Sequence, residues 1–176
     1  MATTTWTIDS THSEIGFKVK HMMFTNVSGK FDAYEGTIET EENDFTTAKI
    51  SFSADIASID TRNTDRDNHL KSGDFFDAEN HPKLTFTGKS FNKINDHNYE
   101  LTGDLTIKGI SKEVKLPVEF SGLMQDPWGN TKVGLNIETK INRKDWGLNW
   151  NATLETGGVL VGEEVKLIID LQLMKQ

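Results

Sequence analysis

The chain has 176 residues, no cysteine and a formal net charge of -8. That length suits one barrel or sandwich with its own core, and the missing cysteines exclude a disulfide framework and thiol chemistry. The acidic balance argues against nucleic acid or an anionic membrane surface as partner. No run approaches the length of a transmembrane helix. Residues Met1 to Thr5 lack the basic region and apolar core of a secretory leader. The expectation is one domain over residues 1–176, cytoplasmic, or periplasmic if a leader has been removed.

Strand signals begin with Trp6-Thr7-Ile8 and resume over Ser13 to His21, where Ile15, Phe17 and Val19 alternate with Glu14, Gly16, Lys18 and Lys20. A period of two marks a strand with one covered face. A strand from Val27 to Glu39 follows, with Val27, Gly29, Phe31 and Ala33 on one face and a bend expected at Gly36. Glu41 to Asp44 reads as a turn, and Ala48, Ile50, Phe52, Ala54 and Ile56 form the next apolar face.

Asp60 to Pro82 is the one stretch where helix signals outweigh strand signals. Thr64 is expected to cap a short helix near residues 63–78, with Asp67 as the capping-box carboxylate. Acidic residues fall in its first turn, and Gly73 stands where the helix should stop. Phe75 and Phe76 then read as an aromatic plug, or simply as two core rings on an ordered connection.

Strands resume with Leu84 and Phe86, and Asn92 to Asn98 reads as a polar hairpin loop. Tyr99, Leu101, Gly103, Leu105 and Ile107 come next, then a tight turn at Lys108-Gly109, then Val114, Leu116, Val118 and Phe120. Asp126 to Asn130 is a strong turn sequence. Val133, Leu135, Ile137 and Ile141 alternate again, a Trp-bearing loop spans Asn142 to Asn151, and Val165 to Leu173 forms the last strand. Successive amphipathic strands joined by short turns favour antiparallel neighbours. The long strands and uniformly medium or large inward residues favour an all-β, extended antiparallel up-and-down β-barrel of about eight strands. A barrel of about that size is either filled by its own side chains or holds one slender ligand.

Catalytic signatures are weak. Asp9, His12 and Ser13 invite a triad reading, but residues so close in one turn rarely reach relay geometry, and no nucleophile elbow surrounds Ser13. Asp65, Asp67 and His69 supply too few ligands on one helix face for a zinc site. No catalytic residue, metal or cofactor is expected. Gly157-Gly158 precedes more strand rather than a helix, which argues against a nucleotide site. His21 is either a polar group at a cavity mouth or a satisfied rim histidine. Trp146 and Trp150 either gate a ligand or close a barrel end by packing. Met22-Met23-Phe24 reads equally as ligand entrance, dimer contact or core.

Several blocks carry a resemblance. Trp6-Thr7-Ile8-Asp9-x-x-His12-Ser13-x-Ile15-x-Phe17-x-Val19-x-His21, then Ser58-Ile59-Asp60-Thr61 with Arg66-Asp67-x-His69-Leu70-Lys71-x-x-Asp74-Phe75-Phe76, and Pro82-x-Leu84-x-Phe86 resemble the YceI-like family. Gly103-x-Leu105-Thr106-Ile107-x-Gly109 and Ile141-Asn142-Arg143-x-Asp145-Trp146-Gly147 look like further motifs of it. The match runs from about Trp6 to Leu173. Proteins of this family are also described as polyisoprenoid-binding and lipocalin-like. The resemblance implies an extended barrel with an elongated apolar pore for a polyisoprenoid or isoprenoid-quinone-like lipid, and a carrier rather than an enzyme.

The resemblance transfers no ligand contacts. Strand parity alone puts Phe17, Val19, Phe31, Ile50, Phe52, Phe86, Leu105, Ile107, Leu135, Ile137, Leu167 and Ile169 on the expected pore wall, with His21 and Trp146 at its ends. Arg62 and Arg66 either meet a ligand head group or pair with a neighbouring Asp. The alternatives are an enzyme acting on a bound small lipid through His12, His21 or His69, and a packed, stress-related interaction protein. A symmetric homodimer is compatible with exposed strand edges or with the Met-Met-Phe run.

Overall fold

A computed structural model describes residues 2–152 and 160–176; the Gly157-Gly158 pair lies outside the described residues. Among the described residues, eleven strand segments form one antiparallel sheet that closes on itself as an eight-stave barrel with one short helix. The first stave is β1 (Thr3–Ile8) and β2 (Glu14–His21), broken by a short 3-10 turn at Ser10–His12. The second is β3 (Thr25–Phe31) and β4 (Tyr34–Glu41), and the third is β5 (Asp44–Asp55). A two-residue strand, β6 (Ile59–Asp60), pairs with the end of β3. The remaining staves are β7 (Lys83–Asn95), β8 (Asn98–Ile107), β9 (Ile110–Gln125), β10 (Thr131–Asn142) and β11 (Val161–Lys175).

Closure runs through β11. Its first half pairs with β2, placing Ile169 opposite Ile15, and its last residues pair with β1, placing Lys175 opposite Trp6. The 3-10 turn between β1 and β2 lets one stave follow β11 along both halves. Asp9 caps that turn, accepting from the Thr11 backbone N–H at 3.1 Å and its hydroxyl at 2.6 Å. Closing the sheet covers most of the edges that a long antiparallel sheet would otherwise carry, although β3 pairs with β2 alone over residues 25–29.

The connection between β5 and β7 holds helix α1 (Thr64–Lys71). The expected cap at Thr64 is corrected: Asn63 is the N-cap, its side chain accepting from the Arg66 backbone N–H at 3.0 Å. Asp67 does not reach back to the helix start; its carboxylate accepts from the Thr61 N–H at 2.9 Å and takes the Thr61 hydroxyl as well. The carboxylate therefore ties the incoming strand to the helix rather than capping the helix itself. The helix ends at Lys71 with Ser72 as its C-cap, so Gly73 follows the last turn as expected, and the segment on to residue 78 is not helical.

The two ends of the barrel are closed differently. Around the end where β1 begins and β11 finishes, Trp6, Phe45, Phe91, Tyr99 and Phe120 form one aromatic cluster, with ring centroids 4.7 to 6.4 Å apart along its contacts. Trp6 is fully buried and its indole N–H donates to the Thr40 hydroxyl at 3.0 Å. The opposite end, where β2 turns into β3, is covered in part by α1 and the segment after β10. The outer wall carries exposed ion pairs such as Lys89–Asp104 and Lys166–Glu138, at levels where a membrane-spanning barrel presents an apolar band. Among the described residues, no helix is long and apolar enough to cross a membrane.

Candidate functional site

The barrel is hollow over much of its length. A cavity of about 680 Å³ runs from beneath the aromatic cluster to the α1 end. Its wall draws on strands all round the sheet, because each contributes its inward parity: Phe17 and Val19 from β2, Ile50 and Phe52 from β5, Leu167 and Ile169 from β11. Several of these side chains point inward yet stay only half-buried, including Phe17, Ile50, Phe52 and Leu167. That combination arises when the interior itself contains free space.

Glycines keep the bore open. Gly29 lies opposite Phe17, and a Cβ there would stand 2.4 Å from the ring's Cζ. Gly103 is covered in a similar way by the Phe86 ring, which reaches it diagonally from the neighbouring strand, at 2.4 Å. In both places a phenyl ring lies flat on the wall over a residue with no side chain, instead of projecting across the axis. Gly36 makes similar room for Ile8, at 2.8 Å, and for Phe52, at 3.3 Å.

The mouth lies between α1 and the β2–β3 hairpin. Exposed Lys20, Asn63 and Asp65 line the cavity there, so it reaches solvent beside them. His69 forms an aromatic group with Trp150, centroids 4.6 Å apart and rings at 84°, and with Phe75, at 5.1 Å. Its Nε2 bonds the Asp74 carboxylate at 2.9 Å. Arg66 also lines the cavity; its Nε donates to the Thr61 hydroxyl at 2.8 Å and its Nη2 to the Thr61 carbonyl at 2.6 Å. No carboxylate among the described residues pairs with Arg66, so the anticipated Asp ion pair is replaced by a clamp on Thr61. Arg62 lies away from the cavity lining.

Arg143 is a buried charge on the wall, 4% exposed. Its guanidinium donates to the carbonyls of Gly162 at 2.8 Å, Trp150 at 3.0 Å and Val161 at 3.3 Å, and to that of Leu148. Burial pushes its pKa down, opposed by the field of Glu163. The carbonyl dipoles satisfy the fork and fasten the segment after β10 against the start of β11. Trp146 is held nearby, its indole N–H donating to the Leu105 carbonyl at 2.8 Å.

Of the positions expected on the wall, Phe17, Val19, His21, Phe31, Ile50, Phe52, Phe86, Leu105, Ile107, Ile137, Trp146, Leu167 and Ile169 all line the cavity. Leu135 does not: it points inward but is 4% exposed within the packed core and outside the cavity lining. Parity assigns a face but does not say which inward side chains border the free space: Leu171, the partner of Leu135 on β11, does. The lining also includes residues not assigned to it from sequence, among them Leu70, Phe75, Phe76, Leu148 and Trp150 from the cover, and Leu101 and Val114 from the staves. Leu101 and Val114 carry the same alternation as their neighbours; the cover residues follow no strand period.

The polar constellations resolve into local structure. His12 Nδ1 meets the Asp9 carboxylate at 2.9 Å, but the Ser13 hydroxyl is engaged elsewhere, accepting from the Gln172 N–H at 2.9 Å. Thr11 first and His12 second hold the Asp9 carboxyl well below its usual range. Of His12, His21 and His69, only the last two reach the cavity. Asp67 is committed to Thr61 and His69 to Asp74, which separates the Asp65, Asp67 and His69 set. The Met22-Met23-Phe24 run is exposed rather than core, at 41%, 61% and 74%.

Comparison with known proteins agrees with this architecture. A UPF0312 protein of Staphylococcus aureus strain MSSA476 is 43% identical over 164 residues, covering 93% of each chain. A crystal structure of the Campylobacter jejuni YCEI protein matches with a TM-score of 0.76 at 33% identity, covering 96% of both chains. In fold alone, the chain is similar to BcnA of Burkholderia cenocepacia, with a TM-score of 0.79 at 22% identity over 94% of this chain and 98% of that one. It is similar in the same sense to a polyisoprenoid binding domain from Saccharophagus degradans, with a TM-score of 0.72 at 14% identity over 97% of this chain and 98% of that one. The family model for the YceI-like domain matches residues 6–173, and the chain belongs to that family.

Proposed function

We propose that this protein is a non-enzymatic binder or carrier that holds one polyisoprenoid or isoprenoid-quinone-like lipid in the barrel. The observation that carries this reading is the cavity of about 680 Å³ with an almost wholly apolar wall. That volume falls within the range of about 300 to 1,000 Å³ usual for small-molecule sites. The distance along β11 from Val161 to Leu171, both on the lining, corresponds to roughly 25 Å at about 3.3 Å per residue and a tilt of about 40°. A space so long for its volume is narrow, and it suits a single chain rather than a compact ring system.

The energetics need no polar signature. Burying apolar carbon contributes about 0.8 kcal/mol per methylene, hence about 4 kcal/mol gross per five-carbon isoprene unit. Two to four units, about 8 to 16 kcal/mol gross, offset the cost of association, which is about 4 to 15 kcal/mol. The polar atoms at the mouth, on Arg66, Asn63 and His69, are the groups available to a head group. The structural relationship to a polyisoprenoid binding domain supports the choice of ligand class. Native purification, extraction into organic solvent and mass spectrometry test the proposal. A recovered isoprenoid lipid, or stoichiometric uptake of an added long-chain quinone, is expected; an empty extract together with no uptake refutes it.

A further inference from the structure

The hairpin joining β2 to β3 combines two features that rarely meet. Met22 and Met23 both have positive φ, at 52° and 68°. The loop between the paired ends His21 and Thr25 holds three residues, and its first two occupy a region that hairpin turns normally fill with Asn or Gly. Side chains beyond glycine and asparagine are disfavoured there, and here two methionines occupy it while exposing 41% and 61% of their surface, with Phe24 at 74%. The turn therefore accepts backbone strain and apolar exposure together, and neither helps the fold. Strain of this kind concentrates at functional positions.

Its surroundings narrow the partner. The Met22 N–H donates to the Leu160 carbonyl at 2.8 Å, which ties the tip to a residue that lines the cavity. Lys20 and His21, just before the turn, line the cavity too. In a chain of net charge -8, residues 15–31 contain Lys18, Lys20 and Lys30 and not one Asp or Glu. Lys30 pairs with Asp32 at 3.3 Å, whereas Lys18 and Lys20 have no ion-pair partner among the described residues. Of the nearby carboxylates, Asp65 and Asp74 belong to the α1 side, while Glu163 and Glu164 at the start of β11 are paired with Lys144 and Lys140. The global charge opposes an anionic surface, but this segment carries lysines and no carboxylate of its own.

We propose that Met22, Met23 and Phe24, backed by Lys18 and Lys20, dock the cavity mouth on an anionic phospholipid bilayer. An apolar tip with a basic base inserts its side chains at the headgroup boundary while the lysines meet lipid phosphates. Three exposed apolar side chains are far fewer than the roughly 20 to 30 residues a side of a stable protein interface. The inference extends the lipid-carrier reading, since a ligand that is insoluble in water must be collected from, or delivered to, a membrane. Its test does not depend on that reading.

Co-sedimentation with vesicles of phosphatidylcholine and phosphatidylglycerol, and with phosphatidylcholine alone, measures docking whatever the cavity contains. The wild-type chain is expected to partition onto the anionic vesicles, and less so as salt is raised. Met22→Asn with Met23→Gly supplies the residues the turn favours, so the fold is kept or stabilised. Combined with Phe24→Ser, this change is expected to lower the partition coefficient by at least about tenfold. Lys18→Gln with Lys20→Gln should remove the salt-dependent part. Trp128→Ser, at an 82% exposed residue on the β9–β10 tip of the opposite end, should change nothing. The proposal is overturned if wild type stays in the supernatant, if the tip variant sediments equally well, or if the Trp128 change is as damaging. A concentration-dependent dimer lost in the tip variant, without vesicle binding, would assign the surface to a second copy instead and likewise overturn it. Failure to find a bound lipid by extraction would leave the docking result standing, so the two readings can fail separately.

Discussion

Gly29→Ala is a small change with a large expected consequence. The added Cβ would meet Phe17 Cζ at 2.4 Å and both Cε atoms at 2.9 Å, with no backbone atom among its nearest neighbours. Ordinary carbon contacts lie near 3.5 to 4.0 Å, so the ring must move by roughly 1 Å or more. It sits on the wall of the cavity, and the free space is on its inner side. The ring therefore tips into the bore. Turning it off its preferred rotamer costs about 0.5 to 1.5 kcal/mol, while replacing glycine with alanine recovers about 0.4 to 1 kcal/mol from the unfolded chain. Net stability should change by less than about 1 kcal/mol. Ligand binding should suffer more, because blocking the space of one isoprene unit removes up to about 4 kcal/mol of gross burial. A loss of at least about tenfold in affinity, about 1.4 kcal/mol, is expected. Fluorescence titration with a long-chain isoprenoid quinone, beside a thermal melt, reads both quantities. Gly103→Ala is the contrast: its Cβ meets the Thr87 backbone carbonyl at 2.5 Å as well as the Phe86 ring at 2.4 Å. A backbone atom cannot swing aside, and about 1 to 3 kcal/mol of stability should go. If Gly29→Ala binds quinone as tightly as wild type while remaining folded, the role assigned to the flattened ring is wrong.

Three further outcomes follow from the packing and the charges. Leu135→Ala should cost about 2 to 5 kcal/mol because it opens a new void in packed core, whereas Leu167→Ala, which enlarges space already present, should cost under about 2 kcal/mol; urea unfolding of both variants measures the difference. Arg143→Met removes the donor to the carbonyls of Leu148, Trp150, Val161 and Gly162. A loss of about 3 kcal/mol is expected, seen as a Tm lower by about 10 °C, and Arg143→Lys should recover only part of it because it lacks the fork. The Asp9 carboxyl is held below its ordinary value of 3.8 in the fold. Its contribution is therefore present above that value and lost as pH falls below about 4. Asp9→Asn should lower stability at neutral pH and flatten the acid side of a Tm-against-pH curve; an unchanged slope would count against the Thr11 and His12 account.

The barrel was legible because each stave spells out its own two faces. Ile15, Phe17 and Val19, or Val165, Leu167 and Ile169, alternate against other neighbours, and the sheet keeps that parity all the way round. Nearly all the positions that parity put on the cavity wall do line it, though the wall includes many more. Parity failed at Leu135 because a residue's face does not say whether its side chain borders the free space, and the aromatic cluster that fills one end is assembled from residues as far apart as Trp6 and Phe120. The hollow itself was not legible. It depends on Gly29 and Gly103 accepting the rings of Phe17 and Phe86, and the second of these reaches diagonally across strands rather than to its direct partner.

Local chemistry was harder to read around α1. Thr64 is a good cap by type, but Asn63 has the extended backbone that a cap requires, and Asp67 finds a better use on Thr61. The turn at Met22-Met23 carried no turn signal, since methionine is disfavoured where φ is positive. Its strain became visible only with backbone angles in hand, and that mismatch between residue type and conformation is what points to docking.

The central claim is that the bore binds by length. Affinity should be measured for a series of isoprenoid quinones that share one head group and differ by single isoprene units. Each added unit should tighten binding until the cavity is filled, after which affinity levels off at one ligand per chain. Affinity independent of chain length, or binding that never saturates, would contradict it.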